Sequence, residues 1–292
     1  MRIVLLIFTL IVLSQTLLHA QVPKDSINKK QLQKVFLAEG VLYAGGMTGL
    51  GFLWYKDSDS QPFQFFDDSQ QWLQMDKIGH VFTAYQLTDI NYKILKTAGL
   101  SPKKAMLYSS IGSTAMMLPI EIFDGFSKNY GASWSDAVAN TIGAFLPYQQ
   151  FIFDQNYMYP KFSFSPSSYA NLRPSTLGTS YVEQLIKDYN GQTYWISTDF
   201  NLLSRSNKFP NWLQFSVGYS GNEMVYGSPQ ENLEKGYNAN RQWLLSLDVN
   251  FSKIEAEQKW LKVLLNIINT VKIPFPAVEW NGKDVILHPV YF

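Results

Sequence analysis

Cysteine is absent from all 292 residues. That excludes disulfides, a thiolate nucleophile, a cysteine-ligated zinc and the cysteine that would carry a bacterial lipid anchor. Charge is sparse as well: 16% of residues are Asp, Glu, Lys or Arg, with a formal net charge of +1. So even a balance leaves no electrostatic footprint for nucleic acid, and no nucleic acid partner is expected. Only three histidines occur, one of them, His19, inside the N-terminal leader. With His80 and His288 left, no His-Glu-x-x-His pattern can form. A Gly-x-Ser-x-Gly elbow is missing too. Gly45-Gly46-Met47-Thr48-Gly49 is no phosphate loop, because no strand precedes it and no Gly-Lys-Ser/Thr follows. Aromatic residues are what the chain has in excess, at 15%. That content suits large apolar contacts, a membrane-facing surface, or both.

Residues 1–20 read as an export signal. Arg2 supplies the positive start, Ile3 to Leu13 the apolar run, and Leu18-His19-Ala20 a cleavage site before Gln21. The competing reading is an uncleaved anchor, against which the short apolar run and the polar stretch Lys24 to Gln33 argue. The expected location is the periplasm or the outer membrane of a Gram-negative bacterium.

Residues 35–150 read as a bundle of about four main helices. Leu37 to Tyr55 is apolar and glycine-bearing, near the length that spans a bilayer and equally fit for a buried core. Asp76 to Thr97 is helical in pattern. Ser101-Pro102 opens a further helix, with serine as cap and proline in its first turn, and Pro119 should kink it. Ser133 caps a helix that carries Asp136 in its electropositive first turn and stops before Pro147. Residues 151–292 change character: 152–180 read as irregular, and three period-two runs around Ile196, Val217 and Leu247 read as strands. An amphipathic helix from Ile254 to Val271 follows, then a last strand from Val285. The fold class expected is therefore α+β, a helical bundle followed by a small antiparallel sheet and an amphipathic helix. Too few strands are visible for a transmembrane barrel.

Polar residues recur at helical spacing within the apolar bundle. Asp76 and His80 share one helix face, Glu121 and Asp124 another, Asp136 and Asn140 a third, with Lys77 beside the first. Converging, they offer imidazole, carboxylate and amide donors for a divalent metal, or a histidine base oriented by a carboxylate. Polar residues on facing helices can equally satisfy one another and fix register, with Lys77 neutralising Glu121 or Asp124. These readings stay open, and composition names neither a cofactor nor a metal. His288 is a lone histidine on a strand, and Phe63 to Phe66 an aromatic core or interface segment.

The order Asp76-Lys77-x-x-His80, Glu121, Ser135-Asp136-x-x-x-Asn140-x-x-Gly143 resembles the YfiM-like family, described as predicted periplasmic lipoproteins of unknown function. It is also similar to the VanZ-like family of membrane proteins, linked to glycopeptide resistance. The resemblance covers about two-fifths of the chain and implies Asp76, Lys77, His80, Glu121, Asp136 and Asn140 as the family's polar positions. The chain departs from it in having no lipidation cysteine and in its strand-bearing second half. The expectation is an exported, envelope- or membrane-associated protein whose pocket is structural or holds a ligand. The alternative is an envelope hydrolase acting on a lipid or phosphorylated lipid through His80 and its carboxylate neighbours.

Overall fold

The computed structural model describes residues 29–55, 59–205 and 208–292. The export signal over residues 1–20 and most of the polar lead-in lie outside the described residues. The fold is α+β, with the helices mainly N-terminal and an antiparallel sheet C-terminal. Two compact units divide the chain: residues 1–67 with 83–151, and residues 68–82 with 152–292.

The helical unit contains α1 (Lys29–Tyr55), α2 (Met75–Thr97) from Thr83 onward, α3 (Pro102–Gly125) and α4 (Trp134–Phe145). Ser133 caps α4 by accepting from the Asp136 amide at 3.2 Å, the role its spacing implies. Ser101 occupies the cap position of α3 without a side-chain bond, and Pro102 alone marks the start. That helix runs on through Pro119. Its polarity is reversed from that of a water-facing helix: Ser109, Ser110, Ser113 and Glu121 are buried, while Leu107, Ile111, Leu118 and Ile122 lie exposed. Trp134, Val138 and Ile142, one turn apart on α4, are exposed as well. Among the described residues no helix is long and apolar enough to cross a membrane.

The sheet unit is a six-stranded antiparallel meander in chain order. Its strands are β1 (Tyr159–Phe164), β2 (Gln192–Asp199), β3 (Leu213–Asn222), β4 (Asn240–Val249), β5 (Phe275–Trp280) and β6 (Val285–Tyr291). Two corrections to the sequence reading follow. The sheet has more strands than were read from the sequence, because β1 lies inside the stretch read as irregular and β5 after the amphipathic helix. Six strands among the described residues still fall short of the eight of the smallest transmembrane barrel. The amphipathic helix is also shorter than its apolar pattern, and the strand read after it from Val285 is present as β6. As α5 the helix covers only Lys259–Ile268, since the Phe251 amide is tied to Asn269 Oδ1 and Val271 forms a bridge with Phe162 of β1.

Direct cross-strand partners point to one face, so the register sorts every side chain. One face carries Ile196, Val217, Leu245, Val278 and Leu287 in a single row across five strands. The opposite face carries polar residues that are buried: Lys161, Ser197, Gln214, Ser216, Asp248 and Glu279. Lys161 Nζ stands 2.7 Å from Asp248 Oδ2, with both side chains 0% exposed. Ser197 donates to the same carboxylate oxygen at 2.8 Å. A second lysine, Lys272, has no exposed surface and donates to the Ile273 carbonyl at 3.0 Å. Burial drives its pKa down to about 8, against the pull of Asp248.

A lysine with a depressed folded-state pKa holds fewer protons than the unfolded chain, so stability rises with pH across that window. The protein should gain stability from about pH 8 upward, until tyrosines of the unfolded chain begin to ionise near pH 10. Denaturant titrations in that range should show a smaller gain for Lys272→Met.

Candidate functional site

Helix α2 begins in an unusual way. Trp72, Leu73 and Gln74 have φ values of 49°, 50° and 65°, a left-handed turn of three consecutive non-glycine residues. Such a conformation costs about 1–2 kcal/mol per residue and persists only where the surroundings over-determine it. Here the Trp72 amide donates to the Gly227 carbonyl at 2.9 Å, and the Tyr219 hydroxyl donates to the Leu73 carbonyl. Arg241 donates to Gln74 Oε1 at 2.7 Å. Leu73 and Met75 pack with Tyr219 and Met224, flanked by Ile78 and Tyr194. The turn therefore fixes the first residues of α2 against the sheet.

Asp76, Lys77 and His80 follow immediately, in the sheet unit. Asp76 Oδ1 accepts from the Tyr189 hydroxyl at 2.6 Å, and its Oδ2 from Lys77 at 2.9 Å. Lys77 reaches Asp68 as well, at 2.5 Å. His80 Nε2 lies 3.8 Å from Asp76 Oδ1, a charge contact rather than a hydrogen bond. Burial alone would raise the Asp76 pKa. The charges of His80 and Lys77 and the hydrogen bonds from Tyr189 and Lys77 outweigh it and hold the carboxyl below its ordinary value. Burial, then the Asp76 charge, pushes the nearby Tyr194 hydroxyl up, so it stays protonated. The glycine of the Asp-Lys-Ile-Gly-His run also has a reason here: a methyl at Gly79 would stand 2.9 Å from the Tyr194 hydroxyl.

In the helical unit, Asn140 of α4 donates to Glu121 of α3 at 3.1 Å, both buried. This joins two of the three helix faces marked by the sequence pattern. Asp124, three residues on, turns instead to Tyr55 at the end of α1, whose hydroxyl donates to it at 2.7 Å. Asp136 is buried at the head of α4, where its amide closes the Ser133 cap. Lys77, expected to neutralise Glu121 or Asp124, is salt-bridged to Asp68 and Asp76.

Sequence reasoning missed Asp68, Tyr189 and Tyr194, which complete the group around Asp76. Asp68 was within reach, eight residues before Asp76 in an acidic stretch. Tyr189 is 113 residues away and carries no local signal. His288 is not a lone histidine: its Nε2 lies 2.7 Å from Glu279 on the adjoining strand, and Glu279 also accepts from Gln242 at 2.6 Å.

Two measurements follow. Tyr219→Phe leaves the buried Leu73 carbonyl without its partner and should cost about 1–3 kcal/mol in equilibrium denaturation. Because the Asp76 pKa is lowered in the folded state, the stability it confers is complete above its unfolded value of 3.8. It is lost as pH falls through the folded value, so wild type and Asp76→Asn should converge in stability on acidification.

No curated protein and no solved structure matches this chain. Residues 64–151, which hold all seven polar positions drawn from the sequence, match the model of a family described as "Predicted periplasmic lipoprotein (DUF2279)".

Proposed function

We propose that this is an exported protein of the periplasm or outer membrane that performs no chemistry of its own. Its polar clusters fix the register of helices in unusually apolar surroundings. The observation that carries this reading is the state of Asp76: one oxygen is taken by Tyr189 and the other by Lys77. His80 is too far from that carboxylate to be oriented as a general base. The Glu121–Asn140 bond supports the same reading for the helical unit, because it pairs two buried groups that would each be costly alone. The match to a predicted periplasmic family supports the location. With no cysteine in its 292 residues, the chain cannot carry the cysteine-linked lipid that the family description implies.

The test compares wild type with Asp76→Asn, His80→Ala and Tyr189→Phe, measuring melting temperature, divalent metal content and hydrolysis of a lipid phosphate. The expected result is a loss of about 1–3 kcal/mol for Asp76→Asn and Tyr189→Phe, with no metal and no turnover in any sample. Metal that co-purifies with wild type and is lost from stable variants would sink the structural reading. Turnover that disappears in a fully folded His80→Ala would replace it with the envelope hydrolase.

A further inference from the structure

The sheet is inverted relative to one that faces water. Its buried face holds serines, a glutamine and the Lys161–Asp248 pair beside a smaller apolar cluster of Trp195, Leu244 and Ala277, whereas the row Ile196, Val217, Leu245, Val278 and Leu287 is 37% to 74% exposed. A soluble antiparallel sheet turns its apolar residues inward and its polar residues to solvent. The reverse alternation, apolar out and polar in, is what a hydrocarbon environment selects.

Composition along the strands points to the same medium. One step along from the aliphatic row, the same face carries Trp243 paired with Trp280, and Trp280 paired with Val285, all about half exposed or more. One further step beyond Trp243 on β4 stands Arg241, and Lys283 lies in the hairpin between β5 and β6, both exposed. At the opposite margin Trp212, also exposed, precedes Leu213. The order is aliphatic, then tryptophan, then cation, and it reproduces the depth order of a membrane interface. Between the margins the exposed part of the face carries no ionisable side chain, so it offers a protein partner nothing to set its register. The patch measures roughly 20 Å along the strands and roughly 20 Å across β2 to β6.

We propose that this face of β2 to β6 is a lipid-contact surface that lies in one leaflet of a membrane, with its aliphatic row among the acyl chains and Trp243 and Trp280 at headgroup depth. It does not span the bilayer: the six strands among the described residues are too few for a closed transmembrane barrel, and an open sheet edge is not tolerated in hydrocarbon. The edge strand β6 keeps its unpaired backbone groups at the polar boundary instead. Having no cysteine to lipidate, the chain makes the attachment with its folded surface. The inference rests on the envelope location proposed above and does not depend on whether the Asp76 cluster is structural.

The full chain is floated with vesicles of phosphatidylethanolamine and phosphatidylglycerol, wild type beside Leu245→Lys and the milder Val217→Ser. Near-ultraviolet circular dichroism checks that each is folded. Wild type should float, with its tryptophan emission blue-shifted and quenched by lipids brominated along the acyl chain. Leu245→Lys should lose at least tenfold in partitioning, and folded Val217→Ser severalfold. A folded wild type that stays in the aqueous fraction overturns the proposal. So does a stable dimer in sedimentation that no longer exposes its tryptophans to acrylamide, because the face would then belong to a second copy. Cell fractionation separates the two claims: export into the soluble periplasm alone sinks the lipid surface, and retention in the cytosol sinks the location.

Discussion

A lysine and an aspartate with no exposed surface, Lys161 and Asp248, set the polarity of the sheet. An ion pair taken out of water is expensive unless its geometry is good and its remaining groups are bonded. Ser197, itself bonded to Ser216, supplies a further bond to Asp248 Oδ2 and the Val249 carbonyl one to Lys161, while Asp248 Oδ1 has no hydrogen-bond partner in the structure. Because side chains alternate strictly, committing that side to polar groups commits the other side to the apolar ones. The exposed aliphatic row is thus the other half of one decision. A single-residue slip in register would place Val217 against the ion pair and expose the serines.

The same economy of polar groups governs the helical unit. Glu121 and Asn140 are buried together, and serines line the inner side of α3 while leucine and isoleucine face outward. In both units several buried polar residues pair with one another, as Glu121 does with Asn140 and Lys161 with Asp248, and apolar residues form much of the surface. A content of 46% hydrophobic residues with only 16% charged is the compositional trace of this arrangement, since there is too little charge to cover the outside.

Helices were legible in the sequence because their apolar and polar residues repeat at 3.6 and their ends carry Ser133, Pro102 and Pro147. The central strands were legible because Val217 and Leu245 stand in uninterrupted alternation. β1 was not: Pro160, Lys161 and two phenylalanines in six residues break every simple pattern, and the lysine is intelligible only once Asp248 faces it 87 positions later. Of the polar cluster, the nearness of His80 to Asp76 follows from their i,i+4 helical spacing and the meeting of Glu121 with Asn140 from facing helices, whereas the pairing of Lys77 with Asp68 and Asp76 was not legible. Tyr189 and Tyr194 were beyond reach because a tyrosine hydroxyl becomes a partner only through tertiary placement. The left-handed turn at Trp72 to Gln74 was hidden for a related reason. No glycine or asparagine marks it, and contacts from Tyr219, Gly227 and Arg241 impose it.

That turn orders events in time. Leu73 is held by Tyr219, 146 residues downstream, and Trp72 by Gly227, so neither anchor exists while the first half of the chain is being made. Helix α2 can coil early, since its hydrogen bonds are local, but its first turn cannot adopt its strained shape until β3 and the loop after it have emerged and paired. The segment that opens α2 must therefore wait for the C-terminal strands of its own unit to arrive.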